Sequence, residues 1–244
     1  MGLGAGKSIM SKFYLSEDNY VLVIKNALAP QEAHHIYKTR HTTKTQYGRK
    51  IFGNLPPRRE VVFTWRGENW DTTKSATAQP YNARDINVAY LIRQAVEKVA
   101  PQDQWLLDNS NEVEYDKAFK RGGSIGAHAD DENHWGLVTC FSLGQTRHME
   151  FGNKGDGVRR LKVELPHNSI VAMCGETFQD LHWHRLPKLK NGVPPMFRMS
   201  FNSRWGKGYD GNETDPEDLT DEEDVDPIDL SDPEDCDHTG GYFL

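Results

Sequence analysis

The stretch GLVTCFSLGQTRHMEFGNKGDGVRRLKVELPHNSIVAMC, residues 136–174, decides how the C-terminal half of this chain folds. It consists of short apolar runs that are separated by Gly, Asn, Asp and Pro. Such runs at close spacing predict short strands joined by turns, as in a sandwich or jelly roll. The same pattern reaches from EVEYDKAF at 112–119 to FRMSFNSR at 197–204. We therefore expect a jelly-roll core over about 112–205.

The N-terminal half mixes strands with helices. APQEAHHIYKTR, 29–40, predicts a short helix, and REVVFTW, 59–65, predicts a strand. A second helix is expected to run from a cap at Asp85 to about Val99, because its apolar residues recur at helical spacing. The expected fold class is α+β, mainly β, with N-terminal helices packed on the jelly roll.

Charge divides the chain into a basic body and an acidic end. From Tyr209 onward there are 15 acidic residues and no Lys or Arg, which leaves the rest with 29 basic and 21 acidic residues, a net charge of +8. We expect a disordered leader at 1–11, one domain at 12–207 and a disordered acidic tail at 208–244. A basic body favours a polyanionic partner such as nucleic acid, although a solvated surface with scattered lysines explains the charge equally well.

Neither a membrane segment nor a disulfide framework is indicated. No apolar run approaches the roughly 18 residues of a membrane helix, and the N-terminus lacks the apolar stretch of a secretory signal. We expect a soluble intracellular protein, in cytoplasm or nucleus, that is a monomer. The chain has three cysteines, of which Cys140 and Cys174 sit in apolar runs and are expected in the core.

The stretch GAHADDENHW, 126–135, contains a candidate metal site. In a strand, side chains two residues apart share a face, so His128 and Asp130 would present an imidazole and a carboxylate together. A facial Fe(II) site needs two His and one carboxylate, which leaves positions open for a cosubstrate and oxygen. LHWHRLP, 181–187, offers His182 and His184 for the second imidazole.

Two arginines follow on one strand. Arg198 and Arg204 are six residues apart, an even spacing that directs both side chains to one face over about 20 Å of backbone. Arginine binds carboxylates in a bidentate manner and stays charged. The pair would therefore suit a dicarboxylic cosubstrate that chelates the iron.

The order His-x-Asp, a His on a strand and Arg-x5-Arg resembles the AlkB family of iron and 2-oxoglutarate dioxygenases. GGSIGAHADDE and HWHRLP are similar to the two metal-binding stretches of that family, and the resemblance covers roughly residues 13–205. It implies a double-stranded β-helix, with Fe(II), 2-oxoglutarate and O2 as cofactors. It also implies that His128, Asp130 and His184 are the metal ligands.

The resemblance assigns further residues to the cosubstrate. Arg198 and Arg204 would hold its carboxylates. The family's Asn-x-Tyr corresponds to Lys117 and Phe119 here, and its Asn after the first Arg corresponds to Ser200. Neutral hydrogen bonds are thus altered, while the charge-assisted Arg contacts should contribute more, roughly 1.5–3 kcal/mol against about 1 for a neutral bond.

Substrate residues are expected in a lid at about 41–80 and beside the metal. NLPPRREVVFTWRGENW, 54–70, resembles the family's lid, in which Arg58 and Arg59 could contact phosphates. Phe63 or Trp65 could stack a flipped base, or Phe63 could instead enter the core as part of a strand. Asp131 and Glu132 could read base edges or pair with lid arginines, or could form a solvated turn.

The resemblance implies oxidative demethylation of N-alkylated bases in methylated DNA or RNA, with single-stranded substrate expected. The alternative is a 2-oxoglutarate dioxygenase that hydroxylates protein or small molecules, since the same iron site would serve both. A third hypothesis is a jelly-roll binding module without catalysis, which predicts no iron binding.

Overall fold

A computed structural model gives the fold of most of the chain before residue 207. It describes residues 7–40, 46–47, 58–65, 78–103, 105–115, 123–130 and 135–206, with only the backbone given for 46–47, Arg58 and Trp135. All of these residues belong to the unit Met1–Gly208. The second unit, Tyr209–Leu244, and with it the expected acidic tail, lies outside the described residues.

Strands dominate the described chain, and three helices accompany them. The strands are β1 (Ile9–Tyr14), β2 (Tyr20–Lys25), β3 (Gln46–Tyr47), β4 (Arg58–Thr64), β5 (Ala78–Pro80), β6 (Leu106–Tyr115), β7 (Ile125–His128), β8 (Trp135–Gly144), β9 (Arg147–Asn153), β10 (Arg159–Leu165), β11 (Ser169–Cys174), β12 (His182–Leu186) and β13 (Arg198–Gly206). The helices are α1 (Pro30–Lys38), α2 (Ala83–Glu97) and α3 (Phe178–Leu181).

The strands form a large sheet and a small one. The large sheet has the order β1-β2-β11-β8-β13-β6-β4-β3, with β5 pairing parallel to β4, and the small sheet has the order β10-β9-β12-β7. Neighbours on these two paths pair antiparallel. Apolar side chains of both sheets share one buried cluster, which includes Val23 and Val171 from the large sheet and Phe151 and Leu186 from the small one. Two sheets packed face to face in this way confirm the expected jelly roll.

A second buried cluster covers the other face of the large sheet. It joins Leu22, Phe141 and Phe201 of the sheet to Ile36 of α1 and Ile92 of α2. The helices therefore pack on the outside of the jelly roll, as expected, because each presents one apolar face to the sheet. None of the helices in this part of the chain has the length and apolar character needed to cross a membrane.

Helix α2 starts earlier than the sequence pattern predicts. Its cap is Asn82, whose side chain accepts a hydrogen bond from the backbone N–H of Asp85. Asp85 was expected to be the cap but is fully buried and pairs with Arg84. Both residue types favour N-caps, so the sequence alone does not distinguish them.

The expected disordered leader at 1–11 is wrong for residues 9–11, which belong to strand β1. Residues 9–11 are strand, because Ile9–Tyr14 pairs antiparallel with β2 from Ile9↔Lys25 to Tyr14↔Tyr20. All six side chains of β1 are exposed. The strand is therefore held by backbone pairing at the sheet edge and lacks the alternation of buried and exposed side chains that reveals a strand in a sequence.

Candidate metal centre

The small sheet places two imidazoles opposite each other. His128 ends β7, and His184 lies directly across from it in the antiparallel pair with β12. The two ring centroids are 4.3 Å apart. Asp130 follows two residues after His128, and one donor atom from each of the three side chains lies within 4.8 Å of the others. The three residues singled out as metal ligands therefore meet in space.

Backbone and side-chain contacts orient these three groups. Nδ1 of His128 lies 2.8 Å from the carbonyl oxygen of Gly126, so it donates there and leaves Nε2 with a free lone pair. The backbone N–H of Asp130 donates to Oε1 of Gln179 over 3.0 Å. His184 is 6% exposed, and its Nδ1 is buried without a hydrogen-bond partner in the described structure. Ligation of a cation would hold this buried imidazole in place.

Arg204 holds the Asp130 carboxylate. Its Nε and Nη2 donate to the two carboxylate oxygens over 3.2 and 3.3 Å. Its Nη1 donates to the side-chain oxygens of Asn109 and Asn111, each over 3.1 Å. This fork-to-carboxylate geometry fixes the carboxylate and counters its charge in a buried setting.

Electrostatics keep the centre in the protonation states that bind metal. Burial alone would raise the pKa of Asp130, but the Arg204 guanidinium and then the imidazoles of His184 and His128 lower the pKa well below its ordinary value. Burial and the neighbouring His128 lower the pKa of His184 to about 3, against the opposing effect of Asp130. At neutral pH the carboxylate is therefore ionised and this imidazole is neutral, as ligation requires.

Arg198 lies on the same face of β13 as Arg204 but has few partners. It is 1% exposed, its Nη2 donates to Oγ of Ser142 over 2.8 Å, and its guanidinium carbon lies 4.8 Å from the ring centroid of Tyr115. Its Nε and Nη1 are buried without a hydrogen-bond partner in the described structure. Leaving buried charged donors unpaired is costly, so this guanidinium fits a bound anion.

The donor set fits the group that the sequence implies. Two imidazoles and one carboxylate form the facial arrangement that suits Fe(II) and leaves positions for further ligands. On the same face of β13 as Arg204, Arg198 offers buried donors to a carboxylate. Ser200 is also buried and shares the face of Arg198, as the even spacing predicts.

Two of the expected substrate residues, Phe63 and Trp65, lie on the helix-covered face of the large sheet. Phe63 is fully buried and stacks on Phe201 at a centroid distance of 6.4 Å. Since Phe201 alternates with the residues of the Arg198 face, Phe63 belongs to the helix-covered core and cannot stack a base beside the metal. Trp65 packs against the same core and donates from Nε1 to the carbonyl of Leu107 over 2.7 Å.

The phosphate contact expected for Arg59 is also corrected by the structure. Its Nη2 pairs with Oε2 of the buried Glu114 over 2.6 Å, on the same helix-covered face, so it is not a free contact for phosphates. Only the backbone of Arg58 is described. The remaining expected residues lie outside the described part of the chain, namely Lys117, Phe119, Asp131 and Glu132.

Several residues of the centre were not predicted from the sequence. Tyr115 lies under Arg198, and Asn109 and Asn111 hold Arg204. Strand β6, which carries all three, begins at Leu106, whereas its apolar pattern is recognisable only from Glu112. The alternation of Asn109, Asn111 and Tyr115 on one face was the available signal, since all three share the parity of an inward-facing strand.

The sequence offered both His182 and His184 for the second imidazole, and the structure distinguishes them. Its side chain is 2% exposed, and its Nδ1 lies 3.0 Å from Oδ1 of Asn153. The cluster of potential ligand atoms found among the described residues includes His184 and not His182. His182 is thus a buried hydrogen-bonded residue rather than a surface one.

Comparisons with known proteins agree with this geometry. The family model of the 2OG-Fe(II) oxygenase superfamily matches residues 20–208. Among solved structures, OsALKBH1 superposes with a TM-score of 0.55 at 16% identity, over 81% of this chain and 100% of that one. An oxidoreductase of the 2OG-Fe(II) oxygenase family from Burkholderia pseudomallei gives a TM-score of 0.52 at 11% identity, over 76% of this chain and 84% of that one. No curated protein matches the sequence significantly.

The chain therefore belongs to the 2OG-Fe(II) oxygenase superfamily. It is an enzyme of the Fe(II)/2-oxoglutarate-dependent dioxygenase class, whose cofactors are Fe(II), 2-oxoglutarate and O2. This excludes the hypothesis of a jelly-roll module without catalysis. The two solved structures show likeness of fold and, at such low identity, do not assign a substrate.

Proposed function

We propose that this dioxygenase is an oxidative demethylase of N-alkylated bases in nucleic acid. The observation that carries the proposal is a 2-His-1-carboxylate triad set in a strongly basic body, whose residues 1–208 carry a net charge of +8. A body of this charge attracts a phosphate backbone. The AlkB-like order of motifs supports the same substrate class.

Each residue of the centre has a proposed role. His128, Asp130 and His184 hold Fe(II). Arg198 binds the distal carboxylate of 2-oxoglutarate with its unpartnered donors. Arg204 was expected to bind the cosubstrate as well, and its bonds to Asp130 support the additional role of orienting the carboxylate ligand.

The cofactors determine the type of reaction, and the chemistry of an N-methyl substrate determines which products it gives. When bound, iron and 2-oxoglutarate, with O2 as the oxidant, would supply the chemistry that inserts an oxygen atom into a substrate C–H bond. If that carbon is an N-methyl group on a base, the hydroxylated methyl leaves as formaldehyde and the unmodified base remains. The protein positions the base and keeps the carboxylate ligand ionised.

A basic patch on the outer face of the small sheet supports polyanion binding. Arg159, Lys162 and Arg185 surround the Glu150 carboxylate at 2.7, 4.0 and 2.6 Å, so three cations face one anion. Their side chains are 51, 37 and 42% exposed. Such cations can contact phosphates without reading sequence.

The test is an assay for formaldehyde and for the demethylated base. The full chain is incubated with Fe(II), 2-oxoglutarate and methylated single-stranded DNA or RNA, and double-stranded forms are run in parallel. We expect formaldehyde in proportion to demethylated product, abolition by His128→Ala, and no loss with His148→Ala, which changes an exposed histidine outside the centre. Turnover of 2-oxoglutarate without any change in the nucleic acids would contradict the proposal and favour a protein or small-molecule substrate.

A further inference from the structure

A row of charged side chains crosses three strands of the small sheet on its outer face. Lys162 of β10 lies directly across from Glu150 of β9, and Arg185 of β12 lies across from Glu150 on the other side. Met149 and Phe151, which flank Glu150 in the sequence, belong to the core between the two sheets. Because successive residues of a strand point to opposite faces, the row lies on the solvent side of the small sheet.

The Glu150 carboxylate holds two guanidinium groups in place. Its Oε1 accepts a hydrogen bond from Nη1 of Arg159 over 2.7 Å, and its Oε2 accepts one from Nε of Arg185 over 2.8 Å. Burial raises the pKa of Glu150, but the hydrogen bonds from Arg185 and Arg159 outweigh it and lower the pKa below its ordinary value. The carboxylate is therefore ionised at neutral pH. With Nη2 of Arg185 also paired to Oε2, each guanidinium still keeps at least one nitrogen for a further acceptor.

Cations outnumber anions on this face. We call the group of Glu150, Arg159, Lys162 and Arg185 the Glu150 cluster. Two neighbouring carboxylates have cations of their own, since Glu164 pairs with Lys25 and Asp156 pairs with Arg160. Within the cluster one carboxylate faces three cations. Two positive charges therefore remain for an anionic partner.

The surroundings of the Glu150 cluster favour phosphate groups over a lipid surface or stacked bases. None of the large apolar side chains that are exposed in the described chain lies in β9, β10 or β12, so these strands have nothing to insert into a bilayer. The ring centroid of Trp183 lies 5.4 Å from the guanidinium carbon of Arg185, but Trp183 is only 8% exposed and cannot stack a base. Cations without such neighbours suit a phosphate backbone, whose contacts carry no sequence information.

We propose that the Glu150 cluster binds the phosphate backbone of a nucleic acid at nucleotides that flank the one in the metal centre. The proposal rests on the proposed function in taking nucleic acid as the polyanion. Arg185 directly follows the ligand His184, so the two side chains lie on opposite faces of β12. A base at the metal and a phosphate at the cluster therefore belong to different nucleotides of one strand. Because Glu150 already orders two of the cations, binding costs less conformational entropy.

The experiment compares two double variants that remove the same charge from opposite sides of the protein. Lys162→Gln/Arg185→Gln changes the cluster, and Lys38→Gln/Lys98→Gln changes exposed lysines at the C-terminal ends of α1 and α2. Binding of unmodified single-stranded DNA of about 20 nucleotides to the full chain is measured by fluorescence anisotropy over about 50–200 mM salt.

Each phosphate contact on a single strand contributes about 0.7 to the slope of log K against log salt concentration. We therefore expect the cluster variant to lower the magnitude of this slope by about 1.4 and to weaken binding about tenfold at about 150 mM salt. The lysine variant should change the slope by less than about 0.3. A parent-like slope in the cluster variant would overturn the proposal. Equal falls in both variants would do so too, since net charge alone would then explain the binding.

Vesicles that contain phosphatidylserine distinguish a membrane from nucleic acid as the partner. Loss of vesicle binding by the cluster variant, with DNA binding as in the parent, overturns the proposal. Should the cluster variant fail to fold, Lys162→Gln is compared with Lys38→Gln, because Lys162 lies 4.0 Å from Glu150 and contributes least to holding it. A lower slope in Lys162→Gln alone supports the proposal, and equal slopes overturn it.

The binding test needs no turnover, so its result is separate from that of the demethylation assay. If the chain demethylates nucleic acid while the cluster variant binds DNA as the parent does, only the role of the cluster is refuted. If the cluster binds DNA as expected but the chain releases no formaldehyde from methylated strands, only the proposed function is refuted.

Discussion

At the scale of single residues, the spacing within a strand predicted which side chains share a face. It did not predict which residues of other strands they contact. Arg198 and Arg204 are six residues apart and share a side of β13, whereas Asp130 lies two residues after His128, just beyond the end of β7. The hydrogen bond between Arg204 and Asp130 depends on which strands become neighbours in the fold. The residue pattern within one strand does not contain this information. The contact of Tyr115 with Arg198 was missed for the same reason.

The expected core position of Cys174 leads to a prediction about its reactivity. Burial raises the pKa of this thiol to about 12, against the smaller effects of Tyr20 and Lys12. At pH 7 the thiolate fraction is then about one molecule in 10⁵. We expect iodoacetamide to leave Cys174 unmodified in the native protein and to alkylate it in guanidinium chloride, as measured by peptide mass spectrometry. Comparable labelling rates in the two conditions would contradict this assignment.

At the scale of strands and helices, prediction succeeded where a strand has a buried apolar run and failed where backbone pairing alone makes the strand. Strand β11 is buried along its whole length, and its apolar run was recognised. Strand β1 is exposed along its whole length, and residues 9–11 were assigned to a leader. The first half of β6 is polar and was also missed, because its asparagines face a polar centre rather than an apolar core.

The hairpin of β9 and β10 allows a matched test of packing. A methyl group added at Gly152 would overlap the carbonyl oxygen of Val158 and the ring of Trp183, whereas one added at Gly155 would meet nothing within 4 Å. We expect Gly152→Ala to lower the free energy of unfolding by about 1–3 kcal/mol, since the backbone must move. Gly155→Ala should change it by less than about 0.5 kcal/mol. Urea unfolding of both variants measures the difference, and equal stabilities would show that the hairpin is packed otherwise.

At the scale of the whole molecule, the fold class was predicted because the jelly roll needs only many short strands at regular spacing. The pattern did not determine which face of each strand points toward the helices and which toward the small sheet. Phe63 shows this, because an apolar residue in a strand is compatible with either side of the sheet until the helices are placed. Of the two positions left open for Phe63, the structure therefore supports the one in the core.

Two histidines whose pKa values are lowered in the folded chain, His148 and His167, predict that stability falls in mild acid. Burial, with the charge of His34, lowers the pKa of His167, and burial, with the charge of Lys162, lowers that of His148. In the unfolded chain both return to about 6.5, so their contribution to stability is complete above that pH and is lost as the pH falls through the lower folded values. The free energy of unfolding, measured by urea unfolding, should be lower at pH 5.5 than at pH 7.5.

The variant His167→Asn isolates one of these two contributions. Nδ1 of His167 accepts a hydrogen bond from the backbone N–H of Gly144 over 3.0 Å, and the Asn side-chain oxygen can accept it without titrating. We expect this variant to lose less stability than the parent between pH 7.5 and 5.5. His35→Asn, at an exposed position of α1, serves as the control. A parent-like pH dependence in His167→Asn would refute the assignment to His167.

His128 and His184 face each other across adjacent strands, and that alignment ties metal uptake to correct strand pairing. A slip of one residue between β7 and β12 would turn one imidazole to the opposite side of the small sheet. Only chains with the native alignment can then offer both nitrogens to iron, and whatever binds the native form selectively shifts the equilibrium toward it. Iron supply would thereby influence how many newly made chains reach the working structure, in addition to how fast the finished enzyme turns over.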